Sequence, residues 1–585
     1  MSFRKVLYRA ILILIFSLTI LNIVYYVTIK NQREYSSREV LKAFKENFVN
    51  NISNEKVSWE DLDFINYEAT RVGPGEQGHP VIVTDPDELA KNQEWVKKEG
   101  FFVDVSNKIS VTRSLPDHRP AVCKTQKYFQ KLPNVSVIVT FHNEIPSTLL
   151  RCVHSIYNRS PKQLLHEIVL VNDMSTFPEL NGTVQEYIKK TFGEKVKIIE
   201  NEERQGLIKA RMTGAKAATG EVIIFLDSHM EVYNSWLPPL LDPIVTNPTF
   251  ATVPVVDGMN HETFAPQHVG YGFRGVFDWN FRYQWLPLRS KDKKIEGAPY
   301  ELACMTGGAY AIRREHFLYL GGYDEGLLIW NGENYELSIK LWLCSGGLFE
   351  VPCARAVHLS KAHSAYRNTK EVTDFEGRNL KRVAEVWLDD YKQYFYRGNI
   401  NRYKNLDPGD LTEQFKKKKS LNCKPFQYYL DEVAPEILKF YPITPQNFAA
   451  GKIQSIARNL CLGLVKRSYK KPVELFNCNQ TTGLDFLFTF EESIKYNDTS
   501  DQCLNEATLN LSNCNHQRGS QRWKFDLSTR QIIHPRKNEC LETKDDDNQI
   551  SLSKCDADLV EQRWKWTYEN TTALMDWDKS AIKID

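Results

Sequence analysis

The chain has 585 residues, 42% of them hydrophobic and 25% charged, with a formal net charge of +2. This length exceeds what one hydrophobic core organises, so two or three folded units are expected. The near-balanced charge leaves no electrostatic footprint for nucleic acid, and no nucleic-acid partner is expected.

Residues 1–9 read as a short cytosolic tail, and Ala10–Ile29 is a 20-residue uncharged run, long enough to cross a bilayer. A cleaved signal peptide would need a shorter apolar region ending in small residues, and none precede Lys30, so a retained signal anchor is expected. Basic residues flank both ends of the span and do not orient it. Eight Asn-x-Ser/Thr sequons and twelve cysteines without a CxxC zinc pattern place the body in an oxidising lumen. Residues 30–120 are polar and turn-rich, with Gly73-Pro-Gly75 and Gly78-His-Pro80, and read as a stem.

From residue 121 the pattern changes. An apolar strand, Val135–Thr140, ends in Phe141-His-Asn-Glu144, and a helix is expected over Ser147–Tyr157. A strand at Glu167–Val171 ends in Asn172-Asp173, and Lys195–Ile199 is another. A helix over Gly206–Ala218 precedes Val222-Ile-Ile-Phe-Leu-Asp227-Ser-His229. Strands alternating with helices indicate a parallel-rich α/β sheet, and polar residues recur at the strand ends, at Thr140, Asp173 and Asp227. Ligands bind at such edges. Asp227 and His229 share a face if the strand geometry persists, and together offer a hard oxygen and an imidazole to a divalent metal such as Mn²⁺. No GxGxxG or GxxxxGK[ST] motif supports a dinucleotide site or a P-loop.

Residues 121–440 thus form one α/β unit, 441–455 a linker, 456–570 a second unit and 571–585 a tail. In the second unit Cys461-Leu precedes Cys478. Cys503-Leu precedes Cys514 and Gln521-Arg-Trp523, and Cys540-Leu precedes Cys555 and Gln562-Arg-Trp564. Three ordered Cys-Leu…Cys units predict a pseudo-threefold β-trefoil with the local disulfides Cys461–Cys478, Cys503–Cys514 and Cys540–Cys555.

The chain resembles the polypeptide N-acetylgalactosaminyltransferases, which initiate mucin-type O-glycosylation. The resemblance rests on Phe141-His-Asn-Glu144, Asn158-Arg-Ser-Pro161, Phe225-Leu-Asp-Ser-His229, Phe277-Asp-Trp-Asn280, Trp330-Asn-Gly-Glu-Asn334, Ala384-Glu-Val-Trp387 and Cys423-Lys-Pro-Phe426. It implies a GT-A nucleotide-sugar domain followed by a ricin-type lectin trefoil, behind an N-terminal transmembrane helix. It further implies a single-pass type II protein of the Golgi membrane, with UDP-GalNAc as donor, Ser/Thr-rich proteins as acceptors and Mn²⁺ as cofactor.

By position, the resemblance puts Thr140, Phe141 and Asp173 at the uridine, with Arg204 and Arg211 nearby. Asp227, His229 and His358 would hold the metal. Trp330 and Glu333 would line the reacting sugar, with Asn334 supporting that loop. Lys361 and Tyr366 would approach the diphosphate from a lid, and Trp279 would lie along the acceptor groove. The implied remaining disulfides are Cys123–Cys353 and Cys344–Cys423. The family retains anomeric configuration, and a front-face reaction is expected, with Glu333 positioning the sugar and the donor phosphate taking the acceptor proton.

The chain departs from the family at several points. His358-Leu-Ser-Lys361 stands for His-Val-Phe-Arg, Arg367-Asn-Thr-Lys370 replaces a Pro-Gly-Gly, Met230-Glu-Val232 replaces Cys-Glu-Cys, and Asn172 replaces an acid. Trp330-Asn-Gly replaces Trp-Gly-Gly. In the trefoil, the position after Cys-Leu, where the family carries an acid, holds Gly463, Asn505 and Glu542 in the three units, so weak or silent GalNAc binding is expected there, with Glu542 as the one residual site. The alternative reading is a catalytically impaired homologue that binds nucleotide-sugar or glycoprotein as a chaperone or regulator.

Overall fold

The computed structural model describes residues 55–575 except position 294 and segments 364–372, 444–446, 466–467, 481–482, 498–499, 516–518 and 545–546. The run Ala10–Ile29 and Tyr366 lie outside the described residues. Among the described residues no helix is long and apolar enough to cross a membrane. The chain divides into two units, Met1–Lys392 with Arg402–Lys439, and Gln393–Asn401 with Phe440–Asp585.

The first unit is built on a mixed ten-stranded sheet. In chain order its main elements are β1 (Val135–Phe141), α1 (Pro146–Arg159), β2 (Leu165–Asn172), α2 (Thr183–Phe192), β3 (Val196–Glu200), α3 (Leu207–Ala217) and β4 (Val222–Asp227). They continue as β5 (Met230–Val232), β6 (Phe250–Met259), β7 (Ala309–Arg313), α4 (Glu333–Cys344), β8 (Gly347–Leu359) and α5 (Phe375–Trp387). The strand order is β8-β6-β7-β4-β1-β2-β3, with β5 beside β8. β1 is buried along all seven residues, as a β-branched strand covered on both faces must be. It runs parallel to β2 and β4, in a register that sets Thr140 beside Asp227, and Phe141 beside Asn172. The carboxyl ends of these strands therefore finish in one row.

β7 is antiparallel to β4 and β6, whereas β8 is parallel to β6 and antiparallel to β5. A bulge between Val351 and Arg355 shifts the β8 register, and His358 then falls opposite Met230 of β5 and Gly258 of β6. Disulfides Cys123–Cys353 and Cys344–Cys423 tie β8 and α4 to distant segments.

The expected stem is corrected from residue 55 onward. Helix Pro86–Glu99 starts with Asp85 accepting from Glu88 N at 2.8 Å and ends at Gly100. The residues after it (Phe101, Phe102, Val105, Ile109 and Leu115) bury against Tyr233, Met259, Phe264, Val357 and Leu359. Arg113, 1% exposed, forks onto Glu231 of β5 at 2.9 and 2.7 Å. Only tertiary contacts reveal this segment as core, because its apolar residues follow neither a period of two nor one of 3.6.

Among the described residues the second unit is an eight-stranded and a four-stranded antiparallel sheet around one apolar core. Trp523 and Trp564, both fully buried, donate Nε1–H to Leu504 O at 3.0 Å and Leu541 O at 2.8 Å, the leucines of their own Cys-Leu pairs. Gln521 and Gln562 hold the neighbouring strand, through Asn513 O at 3.1 Å and Lys554 O at 3.0 Å. The Gln-x-Trp element is thus an internal clamp, and the first unit replaces it with the buried Phe486. Each unit has its own disulfide, Cys461–Cys478, Cys503–Cys514 and Cys540–Cys555. The expected linker is corrected: Ala449–Ser455 is a strand that pairs with Trp564–Glu569 and closes the trefoil.

Candidate active site

β4 ends at Asp227, and Ser228 and His229 form a turn into β5. The turn, and not continued strand geometry, brings His229 beside β8, where Leu359 N donates to His229 O at 3.2 Å. There His358 Nε2 lies 3.4 Å from Asp227 Oδ2, and the His229 and His358 ring centroids are 4.7 Å apart. One donor atom from each of Asp227, His229 and His358 falls within 4.8 Å of the others. Glu144, at the end of the segment following β1, accepts from His229 Nδ1 at 2.8 Å and from Ser228 Oγ at 3.0 Å. This fixes the proton on Nδ1 and leaves the Nε2 lone pair for a metal, the usual carboxylate–histidine–metal arrangement.

One carboxylate and two imidazoles, Asp227, His229 and His358, suit a divalent ion such as Mn²⁺ or Zn²⁺. Burial would raise the Asp227 pKa, but Arg211, His358 and His229 overcome it and hold the carboxyl well below its ordinary value. Arg211, fully buried, donates from Nη2 to Asp227 Oδ1 at 2.7 Å and from Nη1 to Gly307 O at 2.8 Å. Asp227 Oδ2 remains directed at His358. A second group, His118, Asp257 and His268, also has ligand spacing. There Arg355 Nη2 donates to Asp257 Oδ1 and to His268 Nδ1, so the guanidinium already takes the place of a cation.

The loop before α4 carries Trp330. Ile329 and Asn331 have φ of 56° and 75°, a conformation costing of order 1–3 kcal/mol that the surroundings must enforce. Asn379 of α5, fully buried, enforces it: Oδ1 accepts from Leu328 N at 2.9 Å, and Nδ2 reaches the Leu328, Trp330 and Asn331 carbonyls at 2.7–3.0 Å. Asparagine tolerates this conformation better than most side chains, which suits Asn331 to its φ of 75°. Glu333 opens α4 and is 3% exposed; Asn334 Nδ2 donates to Met305 O at 3.1 Å. Burial raises the Glu333 pKa, and its Oε2 has no hydrogen-bond partner among the described residues.

Thr140 Oγ1 is likewise buried and without a partner among the described residues. Phe141 follows it, 5% exposed. Asp173 shapes the wall of the site from within: its oxygens accept from Asn201 Nδ2 at 2.9 Å, Gln205 N at 2.8 Å and Gly206 N at 2.8 Å. Arg204 is exposed on the loop so held. Arg211 sits at Asp227, and Lys361 lies on Glu144. Trp279 stacks on Tyr391 at 6.1 Å, away from that cluster in sequence and element. Glu144 and Asn379 were missed in the sequence reading; the Phe141-His-Asn-Glu144 motif held the first, and nothing local marks the second.

Residues 136–320 match the glycosyl transferase family 2 pattern, and residues 295–364 match the N-terminal domain of galactosyltransferase. Residues 449–564 match the ricin-type beta-trefoil lectin domain. N-acetylgalactosaminyltransferase 4 of Drosophila melanogaster is 40% identical over 537 residues, covering 89% of this chain and 83% of the relative. Polypeptide N-acetylgalactosaminyltransferase 10 of Homo sapiens is 37% identical, covering 88% of this chain and 87% of its own. This chain belongs to the polypeptide N-acetylgalactosaminyltransferase family. A crystal structure of GalNAc-T7 with UDP, GalNAc and Mn2+ is 33% identical with a TM-score of 0.73, covering 88% of this chain and 95% of that one.

Within this family member the trefoil positions after Cys-Leu are occupied by the chain itself. A Cβ at Gly463 would lie 2.5 Å from Leu484 Cδ2 and 2.8 Å from Phe476 Cδ2, so no acidic side chain fits. Asn505 accepts from Ala507 N at 2.9 Å and donates to Ser520 Oγ at 3.2 Å. Glu542 accepts from Gln562 Nε2 at 2.7 Å and from Ser553 Oγ.

Proposed function

We propose that this chain transfers N-acetylgalactosamine from UDP-GalNAc to Ser and Thr hydroxyls of lumenal proteins, with Mn²⁺ and with retention of configuration. The observation that carries this reading is the convergence of Asp227, His229 and His358, with Glu144 behind His229, at the carboxyl edge of the sheet. Bound there, Mn²⁺ supplies a Lewis acid that neutralises charge growing on the departing nucleotide.

The chain's own residues do the rest. Arg211 orients Asp227 and keeps it ionised. Asp173 holds the Gln205–Gly206 turn, and the unpartnered Thr140 hydroxyl is free to bind the nucleoside. The unpartnered Glu333 oxygen is suited to a sugar hydroxyl, and Asn379 holds Trp330 beside it. Retention by a covalent route needs a second carboxylate near the anomeric carbon. Asp227 and Glu144 are both committed to the cation ligands, which leaves Glu333 as a positioning group and favours the donor phosphate as acceptor of the proton. The lectin unit is read as weak for GalNAc, because its three sugar positions are filled or internally bonded. We place the body in the Golgi lumen behind the anchor Ala10–Ile29, a reading supported by the five disulfides and the eight sequons.

Radiolabel transfer from UDP-GalNAc to a mixed mucin-peptide panel with Mn²⁺ tests the assignment. The wild type is expected to label peptides and Asp227→Asn to fall to background. Background transfer by the wild type with UDP still binding would instead favour an impaired homologue acting as a chaperone or regulator.

A further inference from the structure

Lys361 stands where the resemblance expects a group on the diphosphate, but the chain gives it another partner. Its Nζ lies 3.3 Å from both carboxylate oxygens of Glu144. Their side chains are 18% and 5% exposed, so the pair is poorly screened. Phe101 lies under the ammonium, its ring centroid 5.4 Å away. The backbone there is fixed independently, with Ala362 N donating to Gly100 O at 2.8 Å. The side chain can therefore change partners while its root stays in place. Lysine suits this, being a compact charge on a flexible stem, whereas an arginine fork would hold the carboxylate bidentately.

Glu144 is thus shared between Lys361 and His229. A carboxylate behind a metal-binding histidine strengthens that ligand, and a cation beside the carboxylate offsets its charge. We propose that Lys361 is a positioning residue that couples the metal ligands to the nucleotide. Without donor it neutralises Glu144 and weakens the cation site. With a diphosphate alongside, it turns to the phosphates and leaves the full Glu144 charge acting on His229. Metal and nucleotide then tighten each other's binding through one side chain, beyond their direct attraction. This rests on the reading that Asp227, His229 and His358 hold Mn²⁺ and that the site takes a nucleoside diphosphate.

Titrating the full chain with Mn²⁺, following free Mn²⁺ by electron paramagnetic resonance, with and without UDP, tests the coupling without any turnover. Lys361→Met is expected to bind Mn²⁺ about tenfold more tightly than wild type when UDP is absent, one positive charge having left the neighbourhood of a divalent ion. Its gain in Mn²⁺ affinity on adding UDP should be clearly smaller than that of the wild type. Glu144→Gln is expected to weaken Mn²⁺ by about 10–100-fold with or without UDP. Lys361→Arg keeps the charge, and should match wild type without UDP yet gain less from it. Unchanged Mn²⁺ affinity in Lys361→Met without UDP, or an unchanged UDP gain, would overturn the coupling while leaving the metal site intact. Wild-type protein that binds no Mn²⁺ would overturn the site assignment itself.

Discussion

Glu144 and His154 are both buried polar residues of the first unit, and their surroundings drive them to opposite ends of usefulness. Burial alone would raise the Glu144 pKa, but Lys361 and His229 hold its carboxyl well below the ordinary range, so it stays a charged acceptor for the metal-side imidazole. His154 on α1 has only Tyr187 OH at 2.8 Å, and burial lowers its pKa to about 4. An unfolded histidine titrates near 6.5, so below that pH the unfolded chain takes up the proton first. The His154 contribution is full above pH 6.5 and is lost as pH falls toward 4, to a total of about 3 kcal/mol. Urea unfolding at pH 7.5 and pH 5 should show His154→Phe losing less stability on acidification than wild type, by about 2 kcal/mol. Equal losses in the two proteins would rule out this residue as the source.

The loop that leads into α3 shows how an element end becomes part of a site. Gly206 has φ of 82°, donates its N–H to Asp173 and pairs with Ile329, the residue before Trp330. A Cβ there would lie 2.5 Å from Ile329 Cα, a backbone contact that cannot yield. The loop held by Asp173 and the loop that carries Trp330 are thereby built against each other at one glycine. Gly206→Val is expected to weaken UDP binding about tenfold, the equivalent of 1.4 kcal/mol out of the strain imposed, with the circular dichroism of the helices kept. Calorimetric titration giving wild-type affinity would show that the two loops are independent. Strand β4 and its terminal Asp227 were legible from five apolar residues and an acid. The return of the chain through Ser228 and His229 into β5 was not, because a two-residue turn has no hydrophobic period to read.

The two units differ in what their sequence repeats report. In the trefoil, the Cys-Leu…Gln-x-Trp pattern is a folding signal, each glutamine and tryptophan binding the backbone of its own unit. Sugar binding is a separate property, which the family resemblance ties to the position after each Cys-Leu pair. With Gly463 packed shut and Asn505 and Glu542 internally bonded, GalNAc titrated calorimetrically into the full chain without Mn²⁺ or UDP should show no micromolar site, and Glu542→Ala should leave the trace unchanged. A micromolar site lost in Glu542→Ala would mean that its bonds to Ser553 and Gln562 are given up for ligand. The N-terminal segment runs the other way: read as a polar stem, it is folded from residue 55 and is core from Phe101, because Phe101, Phe102 and Arg113 find partners more than a hundred residues away.

The sequence by itself determined the alternation of strands and helices, the buried run ending at Asp227, and the three Cys-Leu units. Each is a local pattern whose physical cause, burial on one or both faces, acts within a few residues. The Asp227-x-His229 spacing offered the metal pair, and family motifs added His358 and Glu333. Only the tertiary structure decided that Glu144 orients His229, that Asn379 clamps the Trp330 loop, that Asp173 is spent on the chain's own backbone and that Lys361 rests on Glu144. Those bonds join residues from 32 to 217 positions apart, and their strength comes from burial that no local pattern records.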